Sequence, residues 1–168
     1  MNDKNSLLTI RKLTQNDWIF VKDIYQQGLD LNIATFQTIC PSFEEWNNGH
    51  LPDCRFVAVY EGEVVGFAVL SPTSKRDVYH GVVEVSIYLD IQHTGQGIGT
   101  KLFSYLINAA EEKKYWSLYS SIIEENTASI ALHQKCGFRK IGYREKIARD
   151  RFGNWHNTLL FERRSSLI

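Results

Sequence analysis

The sequence predicts one α/β (α+β) domain, built on a mixed and mostly antiparallel twisted sheet that helices flank. Segments with alternating apolar residues, typical of strands, are interspersed with segments whose apolar residues recur every three to four positions, typical of helices. The 168 residues are 43% hydrophobic and 23% charged, as in an ordinary soluble domain. We found no repeat, low-complexity tract or linker, and therefore expect a single domain over residues 1–168 with its core at about 7–164.

The first half of the chain carries clear start and turn signals. Thr14 is expected to cap a helix that runs to residue 29. Ser42 and Glu45 have the spacing of a capping box, which predicts a second, short helix. Glu61 and Gly62 form a turn between two runs rich in β-branched residues. The strands of this half are expected at 7–13, 55–60, 64–71 and 82–90.

The second half adds two helices and three strands. The helices are expected at about 98–114 and 127–136, the latter ended by Gly137. The strands are expected at about 116–123, 138–148 and 155–163. The predicted order is therefore βααβββαβαββ.

Composition and cysteine usage exclude several classes of function. Lys plus Arg and Asp plus Glu number 19 each, so the net charge is zero and a nucleic-acid binder is not expected. Three cysteines without CxxC spacing indicate a reducing compartment and no zinc site. The histidines other than His133, namely His50, His80, His93 and His156, lack metal-ligand spacing. Because no long apolar run or signal-peptide pattern occurs, we expect a cytoplasmic protein that does not bind membranes.

A glycine-rich loop, "TGQGIG" at 94–99, joins the predicted strand 82–90 to the helix that follows. Free N–H groups and the helix dipole favour a phosphate at such a place, and glycines let it approach the backbone. The loop fits neither GxxxxGK[ST] nor GxGxxG, since Thr100 stands where the latter needs glycine. A tight strand–helix turn without a ligand is the alternative interpretation.

Several further segments, in matching order over residues 9–162, resemble one known family. The loop fits [QR]xxGx[GA] except for Thr94 at its first position. The other segments are "ATFQ…SFEEW", "VEVSIYLD", "ENTASIALHQKCGF" and "FGNWHN". Together they resemble the GNAT N-acetyltransferase superfamily, in its phosphinothricin and methionine sulfoximine N-acetyltransferase branch. The resemblance implies a GNAT-like fold, acetyl-CoA as cosubstrate, no metal, and a small-molecule amine as acceptor.

Glu84 is the candidate general base. Side chains alternate along a strand, so Glu84, Ser86, Tyr88 and Asp90 share one face, and this strand leads directly into the glycine loop. An amine must lose a proton before it attacks a thioester, and a carboxylate there accepts it directly or through water. Glu84 also matches the glutamate to which the family assigns this step. An orienting or structural role is the alternative.

The resemblance also implies how acetyl-CoA is held. The strand backbone at Ile87, Tyr88 and Leu89 would pair with the pantetheine arm. Asn126, a predicted helix N-cap, would hydrogen-bond the same arm. Backbone N–H groups of the loop and first helical turn would hold the pyrophosphate, and these belong to Gly95, Gln96, Gly97, Ile98, Gly99 and Thr100.

His133 and Cys136 lie on the helix predicted at 127–136. His133 occupies the family position of the proton donor to the departing thiolate, and its ordinary pKa suits that role. It is equally well explained as a helix histidine packed beside the coenzyme. Cys136 lies at the helix C-terminus, where the dipole disfavours a thiolate, so we expect direct transfer rather than an acyl-cysteine intermediate.

The acceptor site is expected around "SKRDVYHG", just before the Glu84 strand. Arg76 and Tyr79 have the R-x-x-Y spacing of the branch, and an arginine binds a carboxylate in a bidentate fork. Phe36 and Trp155 would wall the pocket. The full predicted set is Phe36, Lys75, Arg76, Tyr79, Val85, Ser86 and Trp155. The alternative is a solvated loop with both aromatic residues in the core.

Two other functions stay open at this stage. One is a GNAT enzyme for a polyamine, an aminoglycoside or a protein N-terminus. The second is a non-catalytic acyl-CoA-binding module, against which Glu84 and His133 argue. A homodimer is expected because relatives form one.

Overall fold

The computed structural model describes residues 7–168, so the first six residues of the predicted domain lie outside the described part. One sheet of seven strands and four α-helices follow the predicted order βααβββαβαββ. The strands are β1 (Leu8–Lys12), β2 (Phe56–Tyr60), β3 (Glu63–Pro72), β4 (Val82–Leu89), β5 (Ser117–Ile123), β6 (Arg139–Arg149) and β7 (Trp155–Arg164). The helices are α1 (Trp18–Leu31), α2 (Phe43–Gly49), α3 (Ile98–Glu112) and α4 (Thr127–Lys135).

The sheet is mixed and mostly antiparallel, as predicted. Its strand order is β1-β2-β3-β4-β5-β7-β6. Neighbours pair antiparallel except β4 and β5, which run parallel. That parallel contact covers only Val82–Glu84 of β4, against Ser117–Tyr119 of β5. The two central strands then diverge, and this divergence creates the site described below.

Two apolar cores cover the two faces of the sheet. Leu102, Phe103 and Leu106 of α3 pack on one face, in a cluster that includes Leu70. Val21, Ile24 and Trp46, from α1 and α2, pack on the other face together with Phe67 and Val69. The alternation along β3 that predicted a strand thus feeds both cores, because successive side chains point to opposite faces.

Local capping sets where the first two helices begin. Ser42 and Glu45 form the predicted capping box, in which Ser42 Oγ accepts from Glu45 N at 3.2 Å. Thr14 caps a short 3-10 turn at Gln15–Asp17, and α1 itself begins at Trp18 rather than directly after Thr14. Asp17 explains this turn, because its buried carboxylate accepts from Thr14 N and from both terminal nitrogens of Arg11 at 2.8 Å.

Within residues 7–168, no helix is long and apolar enough to cross a membrane. The same residues contain no cluster of His, Cys, Asp and Glu side chains arranged to hold a metal ion.

Candidate active site

A cleft of about 1000 Å³ opens where β4 and β5 diverge. Glu84 is the last β4 residue that pairs with β5, so the β5-facing edge of residues 85–89 has no ladder partner within the described sheet. On the other side, Gly66–Pro72 of β3 pair with β4 over Val83–Leu89. Backbone polar groups along such an open edge need a partner, which an extended ligand supplies. The predicted pantetheine-binding residues Ile87, Tyr88 and Leu89 lie on this edge.

The glycine loop closes one end of the cleft, which we call the glycine end (Leu89, Gly95, Gly97, Gly99, Thr100 and Asn126). Gly95 and Gly97 have φ of 73° and 82°, and no heavy atom lies within 4 Å of where a Cβ would stand. Gly97 is the N-cap of α3. The loop therefore presents bare backbone to open space at a helix N-terminus, a geometry that suits the predicted anion site.

Gln96 and Ile98 complete the predicted loop, but their side chains do not line the cleft. Gln96 Nε2 donates to Gln92 O at 3.3 Å, and Ile98 is buried in the core beneath α3. The prediction concerned only the backbone N–H groups of Gln96 and Ile98. These groups belong to the loop and the first turn of α3 whichever way the side chains point. Thr94, at the position of the usual Gln or Arg, lines the cleft and its hydroxyl donates to Ile91 O at 3.2 Å.

Glu84 lines the cleft and is half-buried. No hydrogen bond or ion pair to its carboxylate is present within residues 7–168. Burial raises the pKa of this carboxyl above its ordinary value. A carboxylate that is partly desolvated and has no competing protein partner is well suited to accept a proton.

His133 also reaches the cleft wall, but both of its ring nitrogens are already bonded. Nδ1 donates to Ser129 O at 2.7 Å, and Nε2 lies 2.9 Å from Ser120 Oγ and accepts from it. The ring packs edge-on against Phe103 and Phe138, and burial lowers its pKa. Because the neutral His133 ring has one N–H and a carbonyl accepts it, the structure favours a packed helix histidine over a proton donor to the thiolate.

The two residues that flank α4 have the capping positions that the sequence predicted. Asn126 is the N-cap, and its side-chain oxygen accepts from Ser129 N at 3.2 Å. Cys136 is the C-cap, and burial raises the pKa of its thiol, so a reactive thiolate is disfavoured there.

The opposite end of the cleft, here the aromatic end, is lined by Tyr25, Thr35, Phe36, Trp46, His50 and Phe67. Tyr88 of β4 stacks on Phe67 at 5.3 Å and meets Tyr25 edge-on at 5.2 Å. Burial raises the pKa of both tyrosines. Apart from Phe36, sequence reasoning did not assign these side chains to the acceptor site. They come from α1, the α1–α2 loop, α2 with its C-cap His50, and β3, and Tyr25 and Trp46 lie in segments that the sequence predicted only as helices.

The predicted acceptor residues divide into two groups. Phe36, Val85 and Ser86 line the cleft. Lys75, Arg76, Tyr79 and Trp155 do not line it, and the structure does not bring them together with Glu84. The guanidinium of Arg76 stacks on Tyr79 at 5.3 Å in an exposed turn before β4, and that of Arg149 stacks on Trp155 at 4.3 Å. Both aromatic rings are about half exposed.

The family model described as the acetyltransferase (GNAT) family matches residues 16–138, nearly three-quarters of the chain. This chain belongs to the GNAT acetyltransferase family. The predicted cosubstrate, acetyl-CoA, is confirmed by this family membership and by the similar structures solved with it.

Known GNAT proteins are similar over most of their length. The L-methionine sulfoximine/L-methionine sulfone acetyltransferase of Salmonella typhimurium is 32% identical, over 88% of this chain and 89% of that protein. The phosphinothricin acetyltransferase of Sinorhizobium meliloti, solved with acetyl-CoA, has a TM-score of 0.84 and 29% identity, covering 94% of this chain and 88% of that one. The ribosomal-protein-alanine N-acetyltransferase of Brucella melitensis has a TM-score of 0.86 and 30% identity, covering 94% and 99%. The predicted superfamily and branch are confirmed.

Proposed function

We propose that this GNAT enzyme transfers the acetyl group of acetyl-CoA to the primary amine of a small amino-acid-like substrate, of the phosphinothricin or methionine sulfoximine type. The observation that carries the proposal is Glu84, a half-buried carboxylate without a protein partner on the strand whose open edge receives the cosubstrate. The names of the similar acetyltransferases support the substrate class.

The transfer proceeds by direct attack in a ternary complex. The acceptor arrives as an ammonium, and Glu84 takes one proton, directly or through one water. The amine nitrogen then bonds to the thioester carbon while a β4 backbone N–H stabilises the developing oxyanion. The carbon–sulfur bond breaks, and the second nitrogen proton passes to the departing thiolate. His133, bonded at both nitrogens, holds the α4 wall in place rather than supplying that proton.

The proposed acceptor site extends from the aromatic end of the cleft to the exposed turn that carries Arg76, which lies outside the cleft. Tyr25, Phe36 and Trp46 limit the size of the side chain. Arg76, with Lys75 and Tyr79 beside it, would hold the acid group of an amino acid at the entrance to β4. Trp155, the first residue of β7, would approach the same substrate from the rim.

One observation favours a second candidate, an amine that carries no carboxylate. Of the three charged side chains that line the cleft, Glu45 and Glu84 are carboxylates, and Lys135 lies on α4. Polyamines, aminoglycosides and protein N-termini all present cations without a nearby acid group. The Brucella melitensis protein, by its name, acts on an acceptor of this kind.

A substrate panel with acetyl-CoA, followed by release of free thiol, separates these candidates. We expect turnover of methionine sulfoximine, methionine sulfone or phosphinothricin, and little on spermidine, aminoglycosides or peptides. Strong polyamine turnover with none on the amino acids would refute the substrate class and leave the acetyltransferase activity standing. A non-catalytic acyl-CoA-binding module would release no free thiol, whichever amine is added.

We also propose a homodimer of single-domain subunits. β6 is an edge strand, and Ile141, Tyr143 and Ile147 on it are 44–48% exposed, an apolar surface that a second copy would cover. Light scattering is expected to give twice the chain mass, and a monomeric mass would contradict this proposal. The cytoplasmic location stays a prediction from the sequence.

A further inference from the structure

Much of the aromatic end is lined by a loop that has no regular secondary structure. Between α1 and α2, residues 32–42 form neither helix nor strand. Ala34, Thr35 and Phe36 of this loop line the cleft, as do Gln37, Ile39 and Pro41. A wall of this kind keeps its position only through side-chain contacts with its neighbours.

Asp150, at the turn between β6 and β7, provides one such contact. Its Oδ1 accepts from Phe152 N and Asn154 N at 2.9 Å, which fixes the carboxylate within its own turn. Its Oδ2 accepts from Asn32 Nδ2, also at 2.9 Å, where the loop begins. The carboxylate is only 4% exposed, and the hydrogen bond from His156, with those from Asn154 and Asn32, holds the pKa of Asp150 well below its usual range.

His156, near the start of β7, joins this carboxylate to two other walls of the cleft. Its Nε2 donates to Asp150 Oδ2 at 2.8 Å. Its Nδ1 lies 3.2 Å from Glu125 Oε1, within ion-pair distance although not aligned as a hydrogen bond. The ring centroid is 6.1 Å from that of Phe36. Glu125 directly precedes Asn126, the N-cap of α4 at the glycine end.

The charges around His156 favour its protonated form. Asp150 faces it from the turn and Glu125 from the start of α4, and together they raise its pKa above the ordinary value. Neighbouring charges are already paired elsewhere: Glu124 accepts from Asn157 Nδ2 at 2.8 Å, and Arg149 stacks on Trp155. Arg151 of the same turn donates to Asp30 O at 3.4 Å.

We propose that His156, between Asp150 and Glu125, is a positioning residue that holds the α1–α2 loop against the start of α4 and thereby sets the affinity for the acceptor amine. This inference rests on the proposed function for its kinetic readout. His156 does not line the cleft, so it acts through Phe36 and through the Asn32–Asp150 hydrogen bond rather than on the substrate itself.

The proposal has a defined pH dependence. A histidine whose pKa is raised by folding contributes its contacts fully at low pH, and loses them as the pH rises through that raised value. The KM for the amine is therefore expected to rise above that pH, while kcat follows the titration of Glu84 and of the amine.

Two substitutions with one matched control test the proposal. His156→Phe keeps a ring beside Phe36 but removes both donors, and we expect the amine KM to rise about tenfold, as for a lost hydrogen bond to a charged group. His156→Gln can retain the donor to Asp150 and is expected to recover part of this loss. The acetyl-CoA KM and kcat are expected to change less than about threefold in both variants, because Asn126 is held by its own hydrogen bond with Ser129 N and the glycine loop belongs to a separate segment.

Asn157→Ala is the control, because Asn157 stands on the same strand and also makes two hydrogen bonds, to Lys146 N and Glu124 Oε2. We expect it to leave the amine KM unchanged. Equal changes of the amine KM in Asn157→Ala and His156→Phe would overturn the proposal. So would a pH dependence of that KM which is unchanged by His156→Phe.

Two readouts do not depend on the substrate. In a nuclear magnetic resonance titration, the His156 pKa is expected above its ordinary value and is expected to fall in Asp150→Asn. Amide exchange of residues 32–41 is expected to accelerate in His156→Phe and not in Asn157→Ala. If no amine is turned over, the proposed function is wrong. Unchanged amide exchange of residues 32–41 in His156→Phe would contradict the positioning role independently of any substrate.

Discussion

The two ends of the cleft are built in different ways. The glycine end is made mostly of backbone, from one continuous segment at 89–100 together with Asn126. The aromatic end is made of side chains from α1, the α1–α2 loop, α2 and β3, which are separated by up to about forty residues in the sequence. Under the proposed function, a cosubstrate common to a whole family is met by backbone, and an acceptor particular to one enzyme is met by side chains.

This difference has consequences for substitution. Backbone donors are fixed by φ, ψ and helix position, so only changes that alter the chain path affect the glycine end. The aromatic end changes shape with each substitution of a lining side chain. By the positioning role proposed above, it also changes when His156 is replaced. Glu84 stands on β4, the strand that serves both ends, so its replacement is the strongest test of the comparison.

Glu84→Gln is expected to have the largest effect. It should lower kcat by about 10²-fold or more, since the general base is lost while the shape is kept. Acetyl-CoA affinity, measured by calorimetry, is expected to stay within about twofold because the glycine end is untouched. Glu45→Gln is the matched control, since Gln preserves the capping box and the change removes another carboxylate of the same cleft. Unaltered turnover of Glu84→Gln at every pH would refute the assignment.

The pH profile of kcat/KM tests the same residue without a substitution. Burial raises the pKa of Glu84, and the base works only when ionised. Activity is therefore expected to fall as the pH drops through a value above the ordinary carboxyl range. This acidic limb should disappear in Glu84→Gln. A limb that persists there would belong to another group.

Gly97→Ala isolates the glycine end. A φ of 82° costs an alanine about 1–2 kcal/mol, and the loop must leave its binding geometry to relieve it. We expect the acetyl-CoA KM to rise about tenfold, with the amine KM little changed. Gly62→Ala is the control, because its φ of 87° and open surroundings impose the same strain in the β2–β3 turn. If both variants weaken acetyl-CoA equally, strain alone explains the effect.

Arg76→Lys tests whether the acceptor site extends beyond the cleft to the exposed turn before β4. Lysine keeps the charge but cannot form the bidentate fork. The amine KM is expected to rise about fivefold to tenfold, as for the loss of one hydrogen bond to a charged group, while the acetyl-CoA KM stays constant. An unchanged amine KM would restrict the acceptor site to the aromatic end.

Asp17→Asn is expected to have the smallest effect on activity. It breaks the pair with Arg11, outside both ends of the cleft, and should lower the free energy of unfolding by about 1–2 kcal/mol in a denaturant titration. The pKa of Asp17 is lowered chiefly by its hydrogen bonds with Arg11, so this stability is present above the ordinary carboxyl pKa and is lost as the pH falls. An altered KM in Asp17→Asn would contradict the local nature of the two ends.

The sequence predicted the fold and the glycine end well for one physical reason. Strand periodicity, the glycines at 95 and 97 and the N-cap Asn126 are local signals, and local geometry follows from them. The short parallel contact between β4 and β5 has no such signal. Where the two strands diverge depends on their tertiary packing, and it was the resemblance to a family that indicated the open edge at 87–89.

The aromatic end was predicted less well because its signals are ambiguous. Tyr25 and Trp46 recur at helical spacing, which is typical of core residues, and both do belong to the core as well as to the cleft wall. His133 shows the same ambiguity, since only its bonds to Ser129 and Ser120 distinguish a packed ring from a proton donor. Arg76 matched a family spacing, but spacing does not determine where an exposed turn points.

The divergence of β4 and β5 leaves the sheet one partial strand short. A molecule lying along the free edge of residues 85–89 supplies that strand, so it is a folding ligand as well as a reactant. At about a hundred times its dissociation constant such a ligand adds about 2.7 kcal/mol to the stability of the native state. If acetyl-CoA occupies this edge as proposed, the stability of the native enzyme rises with the concentration of its own cosubstrate.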